Sequence, residues 1–229
     1  MTAELAWQRG GSCTYARGVA RTDWATWHRG YEDPRSTLSQ RLVVVRRAIG
    51  DVLRARDGTD VRAVSICAGD GRDLLDAISQ EPHRGRISAR LVEQDLRLVQ
   101  RARDSIEQAG LDSIDVVACD AAVTDAYVGA VPADLVLVCG VFGNVSDADV
   151  ARIIGAMPQL CAHRASVIWT RHRGRPDLTP RIRAWFHEAG FVERTFESPG
   201  AGSWSVGVHE FRGIPRQLRT NETLFTFVR

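Results

Sequence analysis

From Val61 onward, short apolar runs alternate with longer segments whose apolar residues recur every three or four positions. Val61–Cys67, Ile87–Val92, Asp115–Cys119, Ala133–Cys139, Ala165–Thr170 and Phe191–Phe196 have the length and composition of strands. Between them, Arg72–Gln80, Leu96–Ala109, Ala122–Val128, Asp147–Leu160 and Leu178–Ala189 carry the helical spacing. Such alternation predicts a parallel sheet covered by helices on both faces. Trp204–Phe211 follows the sixth run too closely for a crossover helix, so it is expected to join the sheet antiparallel. Leu224–Val228 is expected as an edge strand or a packed tail.

Upstream of this region, Leu38, Leu42, Val45, Ile49, Val52 and Leu53 form one apolar stripe, preceded by Asp33-Pro34 as a start signal. It predicts a helix over 36–56 that packs on the sheet. Residues 1–34 are irregular and rich in aromatics, with Trp7, Tyr15, Trp24, Trp27 and Tyr31 separated by glycines. The organisation expected is an N-terminal extension with its packing helix over 1–56 and a core over 57–229. The fold class is α/β: a Rossmann-like, doubly wound, seven-stranded sheet, mostly parallel with an antiparallel last strand, under an N-terminal helical cap.

Composition narrows the classes of partner. The 229 residues are enough to bury a core without staples. Thirty basic residues, all arginine, face 28 acidic ones, a net charge of +2. That balance gives no reason to expect nucleic acid or an anionic membrane as partner. The absence of lysine removes Schiff-base and Walker-type chemistry. No apolar run approaches the roughly 20 residues of a membrane span, and no signal-peptide core is seen. The five cysteines, Cys13, Cys67, Cys119, Cys139 and Cys161, lack a CxxC spacing. The expectation is a cytoplasmic, reduced chain without structural metal.

The stretch richest in chemistry runs from Ala63 to Asp73, where an apolar run enters Cys67-Ala68-Gly69-Asp70-Gly71 and a helix begins at once. Gly69 and Gly71 let the backbone bend sharply and approach a ligand, and the helix start leaves N–H groups unpaired toward it. The second run ends in Glu93-Gln94, placed to hold ribose hydroxyls, and the third in Asp120-Ala121, placed to accept from an adenine amino group. A dinucleotide turn wants a third glycine, where this chain has Leu74. A pyrophosphate is therefore disfavoured, while an uncharged or zwitterionic nucleoside fits.

On these residues the chain resembles the class I S-adenosylmethionine-dependent methyltransferases over about residues 61–211, including a set of uncharacterised bacterial methyltransferase-like proteins. Cys67–Gly71 stands at the family's Gly-rich motif, Glu93 at its ribose acid, Asp120-Ala121 at its adenine pair, and Cys139-Gly140 opens the fourth-strand motif beside the methyl group. Two positions depart from the pattern: Ser65 where an acid is common, and Cys67 in place of the first glycine. The resemblance implies S-adenosylmethionine as cofactor, S-adenosylhomocysteine as product, and Ala68, Gly69, Asp70, Gly71, Glu93, Gln94, Asp120, Ala121, Cys139 and Gly140 as its binding residues. The acceptor expected is a small molecule, methylated on oxygen or nitrogen.

In-line methyl transfer needs alignment more than reactive groups, and a base only where the acceptor arrives protonated. His172 and Arg171, after the fifth strand run, and His28, in the aromatic segment, are the candidates for a base or an acceptor-orienting group. Trp24, Trp27 and Tyr31 are candidates for a lid. Two other readings stand beside this one: an NAD(P)-dependent oxidoreductase, which Leu74 disfavours, and a cofactor-binding regulatory protein without catalysis.

Overall fold

The computed structural model describes residues 28–228, with side chains described from Gly30 onward. Trp7, Cys13, Tyr15, Trp24 and Trp27 lie outside the described residues, as does the side chain of His28.

After a 3-10 turn over His28–Glu32, helix α1 spans Thr37–Arg54. Ser36 caps it, its Oγ accepting from Ser39 N at 3.0 Å, which satisfies one of the orphan donors of the first turn. At the other end, the Arg86 guanidinium donates to the carbonyls of Leu53, Arg56 and Thr59 at 2.8–3.1 Å. Val45, Ile49 and Leu53, from the second half of the apolar stripe, are buried.

Seven strands follow: β1 Val61–Ile66, β2 Ile87–Glu93, β3 Ile114–Ala118, β4 Ala133–Val138, β5 Cys161–His172, β6 Phe191–Glu197 and β7 Trp204–Phe211. They form one sheet in the order β3-β2-β1-β4-β5-β7-β6. Strands β1 to β5 pair in parallel, and β7 inserts antiparallel between β5 and β6. Helices α2 (Arg72–Ser79), α3 (Leu96–Ala109), α4 (Asp147–Ala156) and α5 (Thr179–Glu188) make the crossovers. Alternation along each strand divides the core in two. Val64, Ile66, Val136, Val138, Val167 and Trp169 face one apolar layer with residues of α4 and α5. Ala63, Leu135, Leu137, Ile168 and Val208 face the other with α1, α2 and α3. The chain order reverses between β1 and β4, and the cleft outside the strand ends at such a switch point is where open α/β sheets bind ligands.

Three expectations need correction. The segment 122–128 is not an α-helix but a 3-10 turn over Thr124–Tyr127. Its buried tyrosine donates to Ala121 O at 2.5 Å and holds the loop in a tighter path than a helix allows. Strand β5 begins four residues before the expected Ala165, at Cys161, through His163 and Arg164, whose polar side chains hide the strand in the pattern. Cys119 is disulfide-bonded, whereas a fully reduced chain was expected; Cys67, Cys139 and Cys161 are free. Spacing along the chain does not encode the proximity that a disulfide needs.

Of the two forms expected for Leu224–Val228, the structure has the packed tail. Leu224 and Phe225 are buried. The tail bonds the loops after β3 and β4, with Leu224 N donating to Ala122 O at 2.7 Å and Val228 N to Asn144 O at 2.9 Å. Among the described residues, no helix is long and apolar enough to cross a membrane, and no cluster of side chains suits a metal ion.

Candidate functional site

Strand β1 enters the turn Cys67–Gly71, and α2 starts at Arg72 with Gly71 as its N-cap in the left-handed region, φ 72°. A Cβ on Gly71 would stand 2.4 Å from Leu91 Cδ2, so only glycine fits between the turn and β2. Gly69 is also left-handed, φ 61°, and so is Cys67, φ 53°, although it carries a side chain. Asp70 is buried, but its carboxylate is taken by the Arg72 guanidinium. It therefore supports the turn from outside. Leu74, at the third glycine position of a dinucleotide turn, is fully buried in the helix–sheet core.

Glu93 ends β2, beside the turn, and is only 9% exposed. Its Oε2 accepts from Gly69 N at 2.8 Å, and its Oε1 accepts from Gln94 N and Asp95 N at 2.8 Å each. A carboxylate has about four acceptor sites, so one remains for a ligand hydroxyl. Burial pushes the Glu93 carboxyl up, and the three N–H donors work against that shift. Next to it, the amide Nε2 of Gln94 is buried and has no hydrogen-bond partner among the described residues. A buried donor left unpaired costs about 1–3 kcal/mol, and a polar ligand at this edge would recover it. Past the end of β3, Asp120 is half-buried, its Oδ1 accepting from Ala122 N at 2.9 Å, with buried Ala121 between them. The structure thus brings Ala68–Gly71, Glu93-Gln94 and Asp120-Ala121 to adjacent strand ends at one edge of the sheet.

Cys139 and Gly140 leave β4 on the other side of the turn. Gly140 N donates to the buried Thr170 Oγ1 at 2.8 Å, and Asn144 Nδ2 donates back to Gly140 O at 2.6 Å, which fixes this loop. Burial raises the Cys139 thiol far above its ordinary range, so it stays protonated and inert. Arg171 and His172 end β5. Arg171 is half-buried, and its carbonyl accepts from Ser205 Oγ at 2.8 Å. His172 is exposed and lies beside the β4 loop, its Cδ2 3.7 Å from where a Cβ on Gly143 would stand. Its Nδ1 accepts from Gly174 N at 3.2 Å, which leaves the neutral ring's proton on Nε2.

Two residues escaped the sequence reading. Arg41, in the second turn of α1, donates to Tyr31 Oη at 3.2 Å. The Arg72 guanidinium lies 4.7 Å from the centre of the same ring, so Tyr31 docks the 3-10 turn onto the Gly-rich turn between two arginines. Asp73, in the first turn of α2, accepts from Leu74 N at 2.8 Å. Burial pushes its carboxyl up. One signal for Arg41 was legible: it stands three residues after Leu38 and four before Val45, on the apolar stripe itself. Asp73 carried none, because an acid in a first helical turn is ordinary.

Residues 26–189 match the family model described as "Putative methyltransferase". The chain belongs to this methyltransferase family. No curated protein matches it. Among solved structures, the methyltransferase is similar to magnesium protoporphyrin IX methyltransferase of Synechocystis PCC 6803 with bound SAM, at 11% identity and a TM-score of 0.63, over 83% of this chain and 91% of that one. It is also similar to a Bordetella parapertussis chain described as a "possible exported protein", at 15% identity and a TM-score of 0.59, over 77% and 68%. A third is precorrin-6y C5,15-methyltransferase of Geobacter metallireducens GS-15, at 13% identity and a TM-score of 0.53, over 73% and 87%. At these identities the likeness concerns the fold, which the methyltransferase shares with them.

Proposed function

We propose that the methyltransferase takes its methyl group from S-adenosylmethionine and delivers it to the oxygen or nitrogen of a small molecule. The observation that carries this reading is Glu93: a buried carboxylate tied to the Gly69 amide with one acceptor site left, beside a buried amide on Gln94 that has no partner among the described residues. The residues fit the cofactor. Gly71 leaves the turn no side chain, Glu93 would hold the ribose, Asp120 and Ala121 the adenine, and Cys139-Gly140 would border the sulfur end. When bound, the cofactor supplies a carbon already activated by a positive sulfur.

What remains for the protein is alignment, which is worth roughly 7–11 kcal/mol when the geometry is held. On this reading His172, at the end of β5, orients the acceptor or takes its proton. Arg171 contributes positive charge at the same strand end, and residues 1–56 act as the cap over a core of 57–229. Membership in a methyltransferase family sets aside the oxidoreductase alternative, in line with the buried Leu74.

Calorimetric titration of S-adenosylhomocysteine into the wild-type protein and Glu93→Ala tests the assignment. Binding to wild type with a roughly 10–100-fold loss in the variant is expected for a charged hydrogen bond. Equal affinity would remove Glu93 from the site.

A further inference from the structure

Trp204 opens β7 at the carboxyl edge of the sheet. Its side chain is half-buried, yet Nε1 itself is buried and has no hydrogen-bond partner among the described residues. Buried indole N–H groups usually find an acceptor. Trp169, fully buried, does so: its Nε1 donates to His209 Nδ1 at 3.0 Å. An indole can donate but not accept, so whatever completes Trp204 must bring a lone pair.

The sheet says where that lone pair would come from. Trp204 lies in register with His172 at the end of β5, and Val206 with Thr170. Residues opposite each other in an antiparallel pair share a face, with Cβ atoms about 4.5–5.5 Å apart. Trp204 packs with Val206 and Val208 against the apolar layer beneath α1, and so does Cys139, just past β4. Cys139, Thr170, His172 and Trp204 therefore stand on one face of the carboxyl edge, across three neighbouring strands. Thr170 Oγ1 accepts from Gly140 N at 2.8 Å, and His172 sits beside Gly143, so the β4 loop is tied to the end of β5. With strands about 4.8 Å apart, Trp204 is about 10 Å across the sheet from Cys139-Gly140, a span that one substituted ring bridges. Half-buried Cys139 and Trp204 offer apolar walls. Apolar walls with a few orienting polar groups are the make-up of a small-molecule pocket. None of the four side chains is a carboxylate, so an ammonium would meet no counter-charge among them.

We propose that Trp204 determines which acceptor is methylated: a planar ring bearing a phenol or carboxylate oxygen, which lies between Cys139-Gly140 and β7 and accepts a hydrogen bond from the indole Nε1–H. This rests on the methyl-transfer reading and adds to it the acceptor's oxygen chemistry and the residue that reads it.

The probes are 4-hydroxybenzoate and 4-aminobenzylamine, the same ring with nitrogen groups in place of both oxygen groups. Each is titrated calorimetrically into S-adenosylhomocysteine-saturated wild type and Trp204→Phe, which keeps an aromatic ring but loses the N–H. 4-Hydroxybenzoate is expected to bind wild type and to lose about 10-fold in affinity in the variant. 4-Aminobenzylamine is expected to bind both proteins weakly and alike. S-adenosylhomocysteine affinity stays the same in both, which certifies the fold of the variant. In nitrogen-15-labelled wild type, the Trp204 indole proton is expected to move downfield as 4-hydroxybenzoate is added, a readout that does not depend on the variant. The inference is overturned if 4-hydroxybenzoate does not bind wild type, if it binds both proteins equally, if the amine binds wild type as tightly, or if the indole resonance stays in place. Each of those outcomes leaves the methyl-transfer reading standing as long as S-adenosylhomocysteine binds wild type. Failure of S-adenosylhomocysteine itself to bind would sink that reading, and this inference with it.

Discussion

Cys67 holds a left-handed backbone, φ 53°, in the turn it shares with Gly69 and Gly71. For a residue with a Cβ this costs about 1–2 kcal/mol, and the thiol gives nothing reactive in return. Burial, with the charges of Glu93 and Asp120 nearby, pushes it well above its ordinary pKa. Cys67→Gly is therefore expected to leave stability within about 1 kcal/mol of wild type, strain relief offsetting the lost packing. Cys67→Val, whose branched Cβ cannot relax there, is expected to lose about 2 kcal/mol or more. Urea unfolding of the two variants checks the contrast. The Gly69-Gly71 part of this turn was legible from the sequence, because glycine names its own conformation. That the cysteine would share it was not.

Among the elements, the C-terminal tail departs most from its pattern. The apolar residues of 224–228 alternate too briefly to say where they go, and the structure sends them to the loops after β3 and β4 rather than to a sheet edge. Thr124 N donates to Glu222 O at 3.0 Å, Asn221 N to Asp125 Oδ2 at 2.7 Å, and Phe225 is 1% exposed. The tail thus braces both the adenine-side loop and the loop carrying Gly140 and Asn144. Phe225→Ala is expected to cost about 3–5 kcal/mol of stability. Because the braced loops line the proposed cofactor site, S-adenosylhomocysteine affinity is expected to fall as well, even under conditions where the variant remains folded. Thermal unfolding paired with calorimetry reads both effects. The four crossover helices and the strands nearer the site needed no such tertiary information, since their periods are long enough to declare themselves; Leu96–Ala109 and Trp204–Phe211 have the expected ends to the residue.

At the scale of the whole molecule, the reversed strand β7 is locked to β5 and β6 through His209, which is 1% exposed. Trp169 Nε1 donates to its Nδ1 at 3.0 Å, and its Nε2 lies 3.6 Å from a Glu193 carboxylate oxygen. Burial lowers its pKa to about 4, with Glu193 opposing and Arg183 adding to the shift. In the unfolded chain the imidazole titrates near 6.5, so between these values the unfolded state binds the extra proton. Stability is then full above about pH 6.5 and declines as the pH falls toward 4, by up to about 3 kcal/mol from this group. His209→Gln keeps an acceptor for Trp169 but cannot titrate, so its melting temperature is expected to fall less steeply than wild type over that window. By itself the sequence determined the order of strands and helices, the Gly-rich turn and the acids at the ends of β2 and β3. Those follow from local periods and from residue types that report their own backbone or strand end. Only the tertiary structure decided that Tyr31 docks between Arg41 and Arg72, that Cys119 is disulfide-bonded, and that the tail braces the site. Each depends on which distant segments come together, a result of burying two apolar layers against one twisted sheet rather than of any local pattern.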